Sequence, residues 1–436
     1  LFCILFAVGF GFLVRQELVG NIKVGWVSKT ALMLAEIPVN LKRWKGPSTD
    51  LIAEDRFPSL NGFDGTPNSN ESYLLLSKFD GDLKEGIVEL VDLTNFEVLQ
   101  TWNPDIDAFN DMVKKTYEFK YLDRDRNNNR SFLEHPKLTQ DGGLVFLTLL
   151  RKIDSCSNLI FQNSSEQFHH TIETDIYGNI WSPSYFYPQT LPIKKVGRKI
   201  LGAGGFNDDA IVKTSSDGEI IFKKAISQIL IDNGLGYLLF SVGDSFDKDP
   251  THLNDIQPVN SDGEYWKIGD VFLSLRHQSM VLLYRPSINK IIWIGTGPFS
   301  QQHDVDILDN HRISIFNNNS KNFIDGNFVD GHNEVIIYDF KTDEYTSYLK
   351  DSLVDNDVKT ITQGRSQILT NEDLFIEETN YGRTLYFNSD GTLRWSHVNR
   401  AENGNVYFVG WSRILYTQED IQSVNYFLDN KGTCNE

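Results

Sequence analysis

Three short polar motifs between Pro250 and Asn319 each lie at the edge of a predicted β-strand. They are His252-Leu-Asn254, an Arg-His-Gln-Ser that begins at Arg276, and Gln-His303-Asp. A neutral imidazole is a competent nucleophile or general base near neutral pH, and a guanidinium stabilises charge that develops on oxygen atoms. Because three separate hairpins deliver these groups, we expect them to form one site.

The elements that must position these motifs are short strands. Residues 271–276 (VFLSLR) and 311–316 (HRISIF) are rich in β-forming residues and are bounded by Gly, Asp and Asn. The polar residues therefore fall at strand ends or in loops, where a rigid sheet presents functional groups.

Composition predicts a large folded protein with an acidic surface. The chain has 436 residues, of which 40% are hydrophobic and 12% aromatic, enough for a sizeable core and too many for a disordered protein. Its formal net charge of -18 repels phosphate backbones. These features argue against nucleic acid as the partner.

A strand, a tight polar turn and a second strand that ends in an aromatic residue recur along the chain. This all-β pattern repeats about every 60 residues, as expected for a six-bladed β-propeller over residues 71–430. Two stacked β-sandwiches are the leading alternative, but they would need a central linker that the sequence does not show. The six repeats span residues 87–102, 172–181, 210–222, 279–293, 334–348 and 383–395.

Propeller geometry makes a prediction about the histidines. The innermost strand of each blade lines a central channel, so a polar residue just before such a strand points into one shared opening. Segments led by His135, by His169 and His170, by His252 and by His303 should therefore converge at the channel.

The N-terminal region is predicted to lie outside the propeller. Residues 1–14 are all apolar and are followed by Arg15, which favours a transmembrane anchor over residues 1–20, with a cleaved signal peptide or a buried core segment as alternatives. Residues 21–70 are predicted to form a helical juxtamembrane segment, broken or kinked at Pro38, followed by a linker. On this interpretation the propeller is membrane-anchored and periplasmic or otherwise extracytoplasmic, and it could form a homo-oligomer.

The three motifs, in this order, resemble those of the PAPS-independent arylsulfotransferases, the bacterial aryl-sulfate sulfotransferases built on a six-bladed propeller. The resemblance is most specific in the middle third of the chain. Two departures are a short interval between Arg276 and His303 and the sequence FNNNS at residues 316–320, where many members have a glycine-containing turn.

The resemblance implies transfer of a sulfuryl group from a phenolic sulfate to a phenol through a sulfohistidine, without a cofactor. His303 matches the nucleophile, and His252, Asn254 and Arg276 match the groups that hold the sulfate oxygens. His170 matches the remaining channel histidine, with His169 and His135 as alternatives. The rival from another class is a membrane-anchored propeller that binds a ligand or a partner protein without catalysis, which would not need these side chains to converge.

Two further patterns remain open. Asp123, Asp125, Asn127 and Glu134 match positions 1, 3, 5 and 12 of an EF-hand-type calcium loop, although a solvated polar loop is favoured because no flanking helices are evident. Apart from this weak candidate no metal site is expected. Cys156 and Cys434 could pair in an oxidising compartment, but the sequence does not show that they meet.

Overall fold

Six antiparallel sheets, each a blade, form the body of the computed structural model. In each blade the strands follow one another from the channel outward, so the fold is the predicted six-bladed β-propeller. The structure describes residues 2–18, 25–45, 51–116, 119, 121–147, 149–187, 189–191, 206–240, 248–323, 326–432 and 434, without the side chains of 18, 39–45 and 323.

The first three blades are built as follows, with the innermost strand first. Blade 1 contains β29 (Arg413–Leu415), β3 (Tyr73–Asp80), β4 (Glu85–Asp92) and β5 (Glu97–Trp102). Blade 2 contains β6 (Glu134–Leu138), β7 (Leu144–Leu147), β8 (Leu150–Ile153) and β9 (Leu159–Asn163). Blade 3 contains β10 (Glu173–Thr174), β11 (Ile180–Tyr185), β12 (Asp209–Thr214) and β13 (Ile220–Ala225).

The remaining three blades carry the predicted motifs. Blade 4 contains β14 (Leu253–Pro258), β15 (Val271–Leu275), β16 (Met280–Arg285) and β17 (Lys290–Gly295). Blade 5 contains β18 (His303–Ile307), β19 (Arg312–Asn317), β22 (Glu334–Asp339) and β23 (Glu344–Tyr348), with a hairpin of β20 (Ser320–Phe323) and β21 (Gly326–Val329) inserted after β19. Blade 6 contains β24 (Arg365–Ile368), β25 (Leu374–Glu378), β26 (Arg383–Phe387) and β27 (Leu393–Val398).

The two ends of the propeller sequence close the ring together. The C-terminal strand β29 pairs with β3, so blade 1 combines strands from both ends. In return β2 (Gly62–Gly65) adds a fifth strand to blade 6, and β1 (Ile52–Ala53) pairs with β28 (Val406–Tyr407). The segment predicted as a linker up to residue 70 therefore supplies one strand to the last blade and one to a separate two-stranded sheet.

Burial differs between the inner and outer strands of a blade. The strands β15 and β16 are buried almost throughout, whereas the outermost strand β17 alternates exposed and covered residues. Inner strands pack between neighbouring blades on both faces and are therefore almost continuously apolar. The hydrophobic core consequently lies between blades: Trp395 and Tyr386 of blade 6, whose ring centres are 5.3 Å apart, belong to one buried cluster with Leu74 and Leu76 of blade 1.

A ring of hydrogen bonds joins each innermost strand to the next around the channel. A side chain on one strand bonds to the backbone of the following strand at each of the six blade junctions. Going from blade 1, these contacts are Arg413 Nε to Pro136 O (3.0 Å), Ile172 N to His135 Nδ1 (3.1 Å), Ile256 N to Thr171 Oγ1 (3.4 Å), Val305 N to Asp255 Oδ2 (2.7 Å), Ser366 N to Asp304 Oδ2 (2.8 Å) and Ile414 N to Gln367 Oε1 (3.0 Å).

Strained backbone conformations occur where the innermost strands begin. We call this end of the channel the mouth. A non-glycine residue with positive φ lies at or just before the start of every innermost strand, and each such residue costs about 1–3 kcal/mol unless its surroundings hold it. These residues, in blade order, are Trp411 (φ 62°), His135 (49°), His170 (65°), His252 (48°), Asp304 (50°) with Gln301 (52°), and Gln363 (58°).

The helices lie around this ring, and two of them precede it. The N-terminal apolar segment forms α1 (Phe2–Leu18), which packs against α2 (Trp26–Lys45). Among the described residues no helix is both long and apolar enough to cross a membrane. At 17 residues α1 rises about 26 Å, and its last turn carries Arg15, Gln16 and Glu17. Pro38 lies within α2. The other helices are α3 (Ile106–Asp111), α4 (Leu122–Asp125), α5 (Ile226–Asp232), α6 (Lys350–Asp355) and α7 (Gln418–Asn430).

The cysteine pair left open by the sequence is a disulfide. Cys156, in the turn between β8 and β9, is bonded to Cys434, beyond α7. The bond ties the C-terminal segment to the outer hairpin of blade 2. Cys3, in α1, is a free cysteine.

Candidate active site

The structure brings the predicted channel histidines together at the mouth. The ring centre of His170 lies 5.2 Å from that of His252 and 6.3 Å from that of His303. A fourth ring, His277, packs on His252 with centres 4.5 Å apart. Blades 3, 4 and 5 each contribute to this group, which we call the histidine cluster: His169, His170, His252, His277 and His303.

His303 is held in one tautomer. Its Nδ1 lies 2.6 Å from Oδ1 of Asn318. The Asn318 amide is oriented by its Nδ2, which donates to the carbonyl oxygens of Thr360 and Gln363. Its Oδ1 therefore faces the ring and can only accept, so Nδ1 of His303 carries the proton. The lone pair is left on Nε2, to which the Gln363 N–H donates at 3.2 Å.

Arg276 places a guanidinium beside the cluster. It follows β15 in a short 3-10 turn, and its backbone N–H donates to the carbonyl of His252 at 3.1 Å. Its Nη1 donates to Nε2 of His277 and its Nη2 to Oε1 of Gln301. Arg276 is 5% exposed, and its Nε is buried without a hydrogen-bond partner. The side chain is thus held rigidly with one donor still available.

Asp249 orients two of the histidines. Its Oδ2 lies 2.6 Å from Nδ1 of His252, so that nitrogen carries a proton and Nε2 remains for substrate. Its backbone carbonyl lies 2.5 Å from Nδ1 of His277 and accepts the proton of that nitrogen. The Nε2 of His277 is then the acceptor for Arg276, so the four groups form one consistent hydrogen-bonded chain.

Asn254 and His135, which the resemblance links to the substrate, are both buried. Asn254 is fully buried and its Nδ2 donates to the backbone carbonyl of Gln302, immediately before His303. It therefore braces the start of β18. His135 is also fully buried; its Nδ1 belongs to the ring between blades and its Nε2 faces Arg365. The indole of Trp411 contacts both His135 and His303, with ring centres 5.3 and 6.1 Å away.

A family comparison agrees with this arrangement. A family model described as Arylsulfotransferase (ASST) matches residues 143–400, a span that contains the whole histidine cluster and Arg276. The chain belongs to the arylsulfotransferase family. No curated protein matches this arylsulfotransferase chain.

Comparison with solved structures gives distant similarities. A protein of unknown function from Bacteroides caccae aligns with a TM-score of 0.46 and 10% identity, covering 78% of this chain and 98% of that one. A streptogramin B lyase aligns with a TM-score of 0.35 and 10% identity, covering 81% and 96%. The WD40 β-propeller domain of Doa1 aligns with a TM-score of 0.38 and 10% identity, covering 85% and 98%.

The surroundings of the arylsulfotransferase site favour the neutral forms of His170 and His303. Burial lowers the pKa of His303 well below its ordinary value, and the neighbouring charges of Arg276 and His252 lower it further. Burial and the adjacent imidazoles likewise lower the pKa of His170. Because protonation is disfavoured here, Nε2 of His303 keeps its lone pair at neutral pH.

One group in the described part of the chain has the geometry of a metal site. Ligand atoms of Asp249, His252 and His277 all lie within 4.8 Å of one another. Nδ1 of His252 already bonds to Oδ2 of Asp249, and Nδ1 of His277 bonds to the backbone carbonyl of Asp249. The guanidinium of Arg276 lies 2.8 Å from Nε2 of His277. A fixed cation at that distance opposes a second cation and favours an anion.

The structure does not show the predicted calcium loop as one set of ligands. Asp123 pairs with Lys115, Asp125 pairs with Arg124, and Asn127 Nδ2 donates to the backbone carbonyl of Asp123. Glu134 is buried, and burial raises its pKa. Asp123 and Asp125 are thus paired with cations, and Glu134 is buried at the start of β6.

Several residues of the site were not singled out from the sequence. Asp249 lies three residues before His252, and His277 directly follows Arg276. Closeness in sequence to these two predicted site residues is a signal that could have identified both. Asn318 lies across a hairpin from His303 and was noted only as part of an unusual turn, and Tyr185 packs on His169 with ring centres 4.5 Å apart.

Proposed function

We propose that this chain transfers a sulfuryl group from a phenolic sulfate to a phenolic acceptor in two displacements, with His303 as the nucleophile. The observation that carries the proposal is the convergence of His170, His252 and His303 with Arg276 at the mouth, together with the hydrogen bonds that leave the lone pair of His303 on Nε2. Membership of the arylsulfotransferase family supports this reaction class.

In the first displacement, Nε2 of His303 attacks the sulfur of the donor. The bond between sulfur and the aryl oxygen breaks, its electron pair goes to that oxygen, and His170 supplies the proton that makes it a phenol. The product on the enzyme is a sulfuryl group on Nε2, while Nδ1–H of His303 still donates to Asn318. The amide oxygen of Asn318 then faces a positively charged ring and stabilises it.

In the second displacement, the acceptor phenol gives its proton to His170 and its oxygen attacks the same sulfur. The bond between sulfur and Nε2 breaks and its electron pair returns to the ring of His303. The two steps use the same groups in opposite order, so His170 ends in its starting state and no nucleotide or metal is consumed. A neutral His303, favoured by its lowered pKa, is both the attacking and the departing group.

The sulfuryl oxygens are held by the cationic side of the site. The Nε–H of Arg276 is buried and has no hydrogen-bond partner. A hydrogen bond from such a donor to an anion is especially stabilising, because it also removes the cost of leaving the donor unsatisfied. Nε2 of His252, whose ring is oriented by Asp249, is a second donor when protonated. In the free enzyme the backbone N–H of Gln363 donates to Nε2 of His303. Once Nε2 is bonded to sulfur, this N–H can donate to a sulfuryl oxygen instead.

The Cys156–Cys434 bond supports an oxidising, extracytoplasmic location, because disulfides persist there and are rare in the cytosol. Membrane attachment and homo-oligomer formation stay predictions.

The proposal is tested by incubating the full chain with 4-nitrophenyl sulfate and a phenol and following nitrophenol release. Release should require the phenol as acceptor and should be abolished in His303→Ala. His311→Gln is a matched control, since His311 is a histidine of the same blade that binds Asp339 outside the cluster. Release by His303→Ala at the wild-type rate would refute the assigned nucleophile. An inactive, folded wild-type protein with every donor tested would favour a binding propeller.

A further inference from the structure

His169 and His170 are joined by a hydrogen bond between two ring nitrogens. Their Nδ1 atoms lie 2.7 Å apart, and the rings are nearly perpendicular at 81°. Two lone pairs at that distance would repel, so one of the two nitrogens carries a proton. If His169 donates, neutral His170 has its own proton on Nε2, the nitrogen that remains for the site.

Behind His169 lies a buried carboxyl group. Asp209, at the start of β12, is 1% exposed, and its Oδ2 accepts from the Thr251 hydroxyl at 2.5 Å and from the Leu253 N–H at 2.8 Å. Its Oδ1 has no hydrogen-bond partner and lies 4.0 Å from Nε2 of His169, which is likewise buried and unpartnered. Two buried polar atoms that face each other without partners require an explanation.

The charges around these groups keep a proton on the carboxyl. Burial, with the neighbouring Asp249 and Asp208, raises the pKa of Asp209 to about 8. Burial lowers the pKa of His169 to about 3; His252 and Arg126 lower it further, and Asp249 opposes them. At neutral pH the proton therefore resides on Asp209.

We propose that Asp209 and His169 form a proton relay with His170, storing the proton that the leaving phenolate takes and receiving back the one that the acceptor phenol releases. The relay rests on the proposed function. Its resting tautomers are Oδ1–H of Asp209 facing Nε2 of His169, Nδ1–H of His169 donating to Nδ1 of His170, and Nε2–H of His170 facing the substrate.

The transfer balances at each atom. When Nε2 of His170 gives its proton to the phenolate oxygen, Nδ1 of His170 takes the proton of His169, and Nε2 of His169 takes the proton of Asp209. Asp209 is left as a carboxylate, and the phenol has gained one proton. The second displacement runs the same steps in reverse. The 4.0 Å gap must shorten by about 1 Å for the last transfer, because hydrogen bonds to nitrogen span about 3 Å.

The test compares two donors in the full-length enzyme. Phenyl sulfate leaves as a basic phenolate that needs a proton, whereas 4-nitrophenyl sulfate leaves as a weakly basic one that does not. Asp209→Asn keeps an oxygen that accepts from Thr251 and Leu253, and it presents an N–H that cannot be transferred. We expect Asp209→Asn to lower kcat on phenyl sulfate by about 100-fold while changing kcat on 4-nitrophenyl sulfate much less.

The pH profile gives a second readout. Wild-type kcat on phenyl sulfate should fall above about pH 8, where Asp209 loses its proton, and Asp209→Asn should lack this fall. His169→Gln, which also interrupts the relay, should show the same donor selectivity even if Asp209→Asn does not fold. Asp175→Asn is the matched control, because Asp175 is a mostly buried aspartate of the same blade that pairs with Lys213 away from the mouth.

Equal losses on both donors in Asp209→Asn and His169→Gln would overturn the relay and assign both residues a structural role. Wild-type selectivity and pH profile in both variants would also overturn it. Failure of the proposed function is a different result: wild-type protein would then form no sulfuryl-enzyme with either donor.

Discussion

The hydrogen bond between His303 and Asn318 makes a sharp prediction about catalysis. Asn318→Ala removes the oxygen that accepts from Nδ1 of His303 at 2.6 Å, and it leaves a buried N–H without a partner. The proton is then free to move to Nε2, which would occupy the lone pair that attacks sulfur. The first displacement should therefore slow, while donor binding by Arg276 should change little.

The size of the effect follows from the burial of the bond. An unsatisfied buried N–H costs about 1–3 kcal/mol, which corresponds to a rate loss of about 10- to 100-fold. If the reactive tautomer were lost completely, the rate would fall by up to about 10⁴-fold, as in a catalytic triad whose orienting carboxylate is replaced by an amide. The observed loss should lie between these values.

Asn318→Asp should separate the two displacements. A carboxylate in place of the amide draws the Nδ1 proton more strongly, which makes His303 a better nucleophile and a poorer leaving group. Sulfation of the enzyme should then proceed at least as fast as in the wild-type protein, while transfer to the acceptor slows. The sulfuryl-enzyme should accumulate.

Rapid-quench measurement of both half-reactions, each beside a melting curve, is the assay. Asn322→Ala is the matched control, since Asn322 is exposed on the neighbouring β20–β21 hairpin. Sulfation of folded Asn318→Ala at the wild-type rate would refute the assignment of the tautomer to Asn318. A loss of donor affinity with an unchanged sulfation rate would instead show that Asn318 contacts the substrate.

Three further predictions follow from the cation at the mouth, the channel carboxylates and the disulfide. Arg276→Lys should lower kcat/KM for aryl sulfates by about 100-fold, because the compact ammonium of lysine, unlike the extended guanidinium, cannot reach His277, Gln301 and a substrate anion at the same time; a wild-type kcat/KM in steady-state kinetics would contradict this. Burial raises the pKa of Asp255 to about 7, so its contribution to stability is present below pH 4 and is lost as pH rises to 7. Asp255→Asn, which can still accept from Val305, should therefore gain about 2–4 kcal/mol relative to wild type between pH 5 and pH 9 in denaturant titrations, and an identical difference at both pH values would contradict this. Cys156→Ser should lower the free energy of unfolding by about 2–5 kcal/mol, and a reductant that has no effect on wild-type stability would show that the bond does not form.

Much of the fold was predictable because each blade repeats a local pattern. Hairpins that end in Trp102, Trp293 or Trp395 bury a continuous apolar stretch between blades, and that stretch is visible in the sequence. The way in which the ring closes was not predictable. The pairings of β2 with β27 and of β29 with β3 join residues more than 300 positions apart, and no local pattern encodes them.

The candidate site divides in the same way. His170, His252, Arg276 and His303 stand out because few other residue types perform their chemistry, and propeller geometry predicts that strand starts share a mouth. The orienting groups are ordinary side chains whose role depends on a contact across a hairpin, as with Asn318. The resemblance links Asn254 to sulfate, but only the structure shows that its Nδ2 donates to the backbone carbonyl of Gln302.

Trapping of the intermediate tests the central claim most directly. Full-length protein would be mixed with an aryl sulfate in the absence of acceptor, quenched under alkaline conditions, digested and analysed by mass spectrometry beside His303→Ala. We expect one sulfuryl group on the peptide that contains His303, lost on addition of a phenol and absent from the variant. A competent wild-type enzyme that forms the sulfated product in one step, with no modified peptide, would contradict it.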